Sequence, residues 1–163
     1  RRVLFRSMKV MKAHLAQKHP RIKLLETLAP EEDQNRARQM TASVLNAHPD
    51  LAGVWGITSV ALPGAAEAVR QAGKAGKVAV TGLSLPKSIR PYVKDGVIEE
   101  FVLWNPVDLG YLTVHVAKAL ADKTLKPGVA KLGRLDGVRV EDREVILGPP
   151  IVFDKNNIDM YDF

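Results

Sequence analysis

An α/β fold, a parallel sheet with helices on both faces, is predicted by three observations. Short apolar runs alternate with longer segments of helical periodicity. The runs are only a few residues long and apolar throughout, as expected of strands buried on both faces. Gly, Pro and capping residues fall between the segments, where each element must stop and the next begin.

The elements follow in order. Met8, Met11 and Leu15 share one face of a helix over 8–19 that Pro20 ends, and Ile22 to Leu28 reads as a strand. Glu31, Glu32 and Asp33 open a second helix with negative charge in its first turn, where the macrodipole favours it. Its buried stripe is Ala37, Met40, Thr41, Val44 and Leu45. Leu51 to Ile57 is a strand; Ala61 to Ala72 is a helix whose small residues Ala65, Ala68 and Ala72 allow close approach to a sheet, with Gly73 as its stop. Val78 to Leu83 is the next strand. Pro86 opens a helix broken or kinked at Pro91 and closed by Gly96. After a strand over Ile98 to Leu103, Asn105 caps a helix with Pro106 at its first position and Leu109, Leu112, Thr113, Val116 and Leu120 inward. Beyond Pro127 the pattern changes to short extended pieces, Val138 to Val140, Glu144 to Leu147 and Ile151 to Phe153, and a polar tail ending at Phe163. In such a sheet ligands bind at loops beyond the carboxyl ends of strands, here Thr58-Ser59, Ser84 and Trp104-Asn105.

Composition narrows the classes. At 163 residues and 46% hydrophobic content the chain can bury a core of about one domain's size. No apolar run approaches the roughly 18 residues that span a bilayer. The absence of cysteine excludes a disulfide framework and thiolate chemistry. The formal charge of +6 is partly concentrated in Arg1, Arg2 and Arg6; the remaining basic residues are interspersed with Glu and Asp, the pattern of a solvated surface rather than a nucleic-acid interface.

Candidate chemistry is sparse. His14, His19, His48 and His115 are dispersed without metal-ligand spacing, so neither a metal nor a cofactor is expected. Gly73 to Val78 follows a helix rather than a strand and places Val78 where a phosphate loop carries Ser or Thr. Gly82-Leu83-Ser84-Leu85-Pro86 lacks the second glycine of a nucleophile elbow, which leaves Ser84 a hydrogen-bonding or capping role. With no dinucleotide fingerprint and no catalytic carboxylate pair, an enzyme is not expected. Of the two tryptophans, Trp55 sits inside a predicted central strand and is assigned to the core. Trp104, at a strand's carboxyl end, is assigned to a ligand pocket, where an indole stacks on a sugar ring.

His48-Pro49-Asp50-Leu51-Ala52-Gly53-Val54-Trp55 and Ala61-Leu62-Pro63-Gly64-Ala65-Ala66 resemble the C-terminal lobe of type I periplasmic sugar-binding proteins. Arg90 to Gly96, Phe101 to Trp104 and Phe153 to Asp159 resemble the branch that contains autoinducer-2-binding and rhamnose-binding proteins of ABC importers. The resemblance implies a periplasmic-binding-protein-like fold in which two lobes joined by hinge strands close on a small sugar-like ligand, and the closed form docks on a membrane permease. It implies a periplasmic protein, monomeric when full length, with no nucleic-acid partner. Carried over residue by residue, it implies ligand contacts from Pro63 and Ala65 through backbone groups, and from Ser59, Ser84, Trp104 and Asn105. Ser59 stands where sugar-binding relatives often carry Asn, and Ser84 where they often carry Asp.

Family members are about twice this length, so the resemblance implies a truncated product. Residues 1–7 are expected to be a non-native leader, 8–104 the C-terminal ligand-binding lobe, 105–142 a returning segment of the N-terminal lobe and 143–163 a tail that crosses back. The helix from Pro106 to Ala121 is then expected to carry an exposed apolar patch. A sugar-responsive transcription regulator shares the fold; a DNA-binding helix-turn-helix upstream would identify that alternative, and a signal peptide upstream would exclude it.

Overall fold

The structure, a computed structural model, describes the backbone of residues 2–163 and the side chains from Ser7 onward. The elements run α1 (Arg2–Lys18), α2 (Gln34–Ala47), β1 (Gly53–Gly56), α3 (Ala61–Gln71), β2 (Ala79–Gly82), α4 (Pro86–Lys94), β3 (Glu100–Leu103), α5 (Pro106–Ala121), β4 (Gly128–Leu132), β5 (Leu135–Glu141), β6 (Glu144–Ile146) and β7 (Ile151–Asp154). A single 3-10 turn, Ile158–Met160, follows. Of the expected leader, Arg1 lies outside the described residues; α1 begins at Arg2 and passes Met8 without a break.

The expected α/β alternation is present. β1 and β2 pair in parallel from Gly53↔Ala79 to Gly56↔Gly82. A parallel bridge between Leu83 and Val102, together with the Thr81 hydroxyl donating to the Glu100 carbonyl at 2.9 Å, places β3 beside β2. β7 closes this side antiparallel to β3, with Phe101 opposite Phe153 and Leu103 opposite Ile151. β4, β5 and β6 form a separate antiparallel sheet.

The core lies where α3 and α4 cover one face of the first sheet. Leu62, Ala66 and Val69 from α3 and Ile89 and Val93 from α4 meet Ile98, Phe101 and Phe153, all almost completely buried. Glycines set the spacing at two places. A Cβ on Gly56 would fall 2.5 Å from the Leu62 Cα, so α3 rests directly on β1 there. A Cβ on Gly64 would fall 2.7 Å from that of Ala37, where α2 crosses α3.

Several expectations are corrected. Ile22 to Leu28 forms no strand: it joins no ladder among the described residues, although the outer edge of β1 is unpaired there, and Ile22, Leu24, Leu25 and Leu28 stay exposed. Glu31 and Glu32 precede α2 in left-handed backbone instead of filling its first turn; Asp33 is the cap, its carboxylate accepting from the Arg36 amide at 2.9 Å. Pro91 does not break α4, because the helix is anchored through it by buried Ile89, Tyr92 and Val93. Trp55 is not core but 51% exposed, since strand alternation points it away from α3, and α1 faces it only across an open groove of about 450 Å³.

The tail is more than a polar surface segment. Ile158 is fully buried, and Tyr161 and Phe163 both meet Phe153 edge-on, with centroids 4.9 and 6.4 Å away. Arg90 donates to the Tyr161 carbonyl, and Asp159 pairs with Lys94 at 2.8 Å. On α5 the expected stripe is partly exposed: Leu112 is buried and Val116 half-buried, while Leu109, Thr113 and Leu120 are exposed, and Val107 and Val114 are exposed on the opposite side of the helix.

Candidate functional site

Parallel pairing brings the carboxyl ends of β1, β2 and β3 to one edge of the sheet. The segments leaving that edge are Ile57–Val60, Leu83–Leu85 and Trp104–Asn105. β1 and β2 touch at their last residues: Gly82 has φ +151°, and a Cβ there would lie 1.8 Å from the Gly56 carbonyl oxygen. The two following loops therefore start from backbones in direct contact.

Ser59 is exposed on the first loop. Its carbonyl accepts a hydrogen bond from the Ser84 hydroxyl at 2.9 Å, and Ser84 itself is completely buried. Thr58 turns the chain into α3, its hydroxyl accepting from the Ala61 amide at 3.1 Å. Pro63 and Ala65 lie in the first two turns of α3, and both are buried. Neither presents a side-chain surface to the site edge.

On the third segment Trp104 is 44% exposed. Beside it the Asn105 carboxamide oxygen accepts from the Val107 and Asp108 amides, at 2.9 and 3.3 Å, and so caps α5. With its oxygen committed to the cap, the Asn105 side chain has its NH2 group left as a donor. Of the six expected site residues, the structure thus groups Ser59, Trp104 and Asn105 as accessible side chains and Pro63, Ala65 and Ser84 as buried ones. The accessible three carry a hydroxyl, an apolar indole face and an amide donor.

Two side-chain clusters carry no reading in the sequence analysis. Arg134, at the turn between β4 and β5, stacks on Tyr111 at 4.6 Å and pairs with Asp108 at 2.5 Å, which ties the hairpin to the start of α5. On the far side of the lobe the Tyr92 hydroxyl donates to Glu67, and Arg70 pairs with the same carboxylate at 2.6 Å. Burial, reinforced by the bond to Glu67, pushes the Tyr92 phenol above its ordinary value. Gly133, with φ +59° and a Cβ position 2.2 Å from the Tyr111 hydroxyl, is the local signal for the approach of Arg134 to α5, whereas the 25-residue separation of Glu67 and Tyr92 carries none.

A family model described as "Periplasmic binding protein domain" matches residues 3–125, which include all three strand ends. The chain is 31% identical over 93 residues to the D-allose-binding periplasmic protein of Escherichia coli strain K12, a stretch covering 57% of this chain and 30% of that protein. Among solved structures, a sugar ABC transporter from Actinomyces odontolyticus superposes with a TM-score of 0.83 at 32% identity, covering 96% of this chain and 52% of that one. LsrB from Clostridium saccharobutylicum in complex with AI-2 superposes with a TM-score of 0.80 at 25% identity, covering 93% and 53%. The chain spans about half the length of both solved structures. The alternation, the sheet and the position of the strand ends, together with a match over most of its residues, lead to one conclusion: the chain belongs to the periplasmic binding protein domain family.

Proposed function

We propose that this chain is part of the non-enzymatic, sugar-binding component of an ABC importer, which captures a small sugar or sugar-like molecule in the periplasm and passes it to a membrane permease. The observation that carries this reading is the exposed Trp104 indole just past the end of β3, next to Asn105, which caps α5 through its oxygen and has its NH2 group left as a donor. Capture of this kind requires shape and hydrogen-bond complementarity and lobe closure, without bond chemistry.

In this reading Ser59, Trp104 and Asn105 touch the ligand, while Pro63, Ala65 and Ser84 shape the loops that present them. Residues 8–104 form the ligand-binding lobe, 105–142 a returning segment of a second lobe, and 143–163 the crossing tail. The antiparallel return of β7 onto β3 supports that division. The ligand is of the rhamnose or autoinducer-2 type, a reading supported by the resemblance of the later motifs and by the departures at Ser59 and Ser84. The protein works as a monomer.

The test is calorimetric titration of the full-length gene product with L-rhamnose, autoinducer-2 and D-allose. Saturable one-to-one binding of rhamnose or autoinducer-2 is expected, and Trp104→Ala should weaken it by about 2 kcal/mol, roughly 30-fold. Tight binding of D-allose alone would keep the transport reading and replace the ligand. Binding of none of the three, or binding untouched by the substitution, would overturn the assignment of this site.

A further inference from the structure

We propose that Ser84 is a positioning residue that supplies the hydrogen-bond donor Pro63 lacks, and so fixes the Thr58–Val60 loop at the rim of the site. The inference deepens the site reading above, but its first test needs no ligand.

The argument is an accounting of carbonyl groups at the start of α3. The Thr58 carbonyl accepts from the Leu62 amide and the Val60 carbonyl from the Gly64 amide, both at 3.3 Å, in the spacing of an α-helix. The carbonyl between them belongs to Ser59, and its partner in that spacing is residue 63. Residue 63 is proline, which has no N–H. The Ser59 carbonyl is left without its helical donor in a part-buried position, where an unpaired acceptor is unfavourable.

The Ser84 hydroxyl fills that vacancy from the loop after β2, at 2.9 Å. Ser84 has no exposed surface, so its own hydroxyl must also find a partner inside the protein, and this bond satisfies both groups. Gly82 makes the reach short: the close contact between Gly82 and Gly56 brings the end of β2 against the end of β1. Ser59, Pro63 and Ser84 thus form one device. It holds the Ser59 side chain in place while Ser84 itself touches nothing outside the protein.

The experiment is a double-mutant cycle with Ser84→Ala and Pro63→Ala in the full-length protein, read by amide hydrogen exchange at Ala61, Leu62 and Gly64. Ser84→Ala alone should speed exchange at these amides about tenfold. Exchange at Val80 and Phe101 should change little. Pro63→Ala restores an N–H opposite the Ser59 carbonyl, so Ser84→Ala in that background should speed exchange by less than about twofold. Equal effects of Ser84→Ala in both backgrounds, or none in either, would overturn the proposal. In parallel, L-rhamnose titration separates the two readings. A loss of affinity on Ser84→Ala that Pro63→Ala does not offset would make Ser84 a direct ligand contact, and absence of rhamnose binding in every variant would leave the exchange result standing by itself.

Discussion

Phe153→Ala is the substitution that tests the packing of the crossing tail most directly. The Phe153 ring is completely buried, lies stacked on Phe101 with centroids 5.0 Å apart, and receives Tyr161 and Phe163 edge-on. Truncating a buried Phe costs about 3–5 kcal/mol, and aromatic pairing accounts for about 1 kcal/mol of such a loss. Taking about 4 kcal/mol, and about 2–4 °C per kcal/mol for a chain of this size, the midpoint of thermal unfolding should fall by about 8–16 °C. Its neighbour supplies the control. Val152 is 48% exposed on the opposite face of the same strand, so Val152→Ala should lower the midpoint by less than about 3 °C. Both are read by far-UV circular dichroism. Equal shifts for the two variants, or a Phe153→Ala shift under about 4 °C, would refute the register that points Phe153 inward.

Gly82→Ala should abolish the native contact of the strand ends, because its φ of +151° and the adjacent Gly56 carbonyl leave no room for a Cβ. A loss of several °C in melting temperature, well beyond the effect of Ala79→Gly on the exposed end of the same strand, is the expected result. Asp154 titrates below its ordinary value because the Asn156 amide, the Asn156 side chain and the Asn157 amide donate to its carboxylate. A depressed carboxylate stabilises the fold above the unfolded pKa of about 3.8 and loses that contribution as pH falls through the folded value. Urea unfolding across pH 2–6 should therefore show a shallower acid limb for Asp154→Asn than for the parent; parallel curves would remove Asp154 from the account.

Much of this fold was legible because local rules and tertiary packing agreed. α3 stops at Gly73, whose φ of +63° suits glycine, and Asn105 and Pro106 begin α5 in the roles their chemistry favours. Trp55 shows where legibility ended: an apolar run of four to seven residues looks the same whether one face is covered or two, and only the placement of α1 and α3 decides it. Ile22 to Leu28 carries strand-forming residues, but strand formation also needs a side-chain face to pack, and these residues stay exposed. Trp104 and Ser59 could be placed from strand ends alone. Ser84 could be read as a hydrogen-bonding residue, yet its partner lies 25 residues away and is created by a proline's missing proton. The tail was unreadable because its aromatic residues are spaced irregularly and acquire meaning only around Phe153.

The return of β7 onto β3 makes residues 104–150 a closed excursion whose two ends emerge side by side, at the pair Leu103↔Ile151. A rotation of everything within that excursion turns about a single two-stranded joint, and a force pulling it away opens the ladder one rung at a time from that pair. Trp104 is the first residue beyond the joint. Its half-exposed indole therefore sits where a change in the angle of the joint would first alter its surroundings.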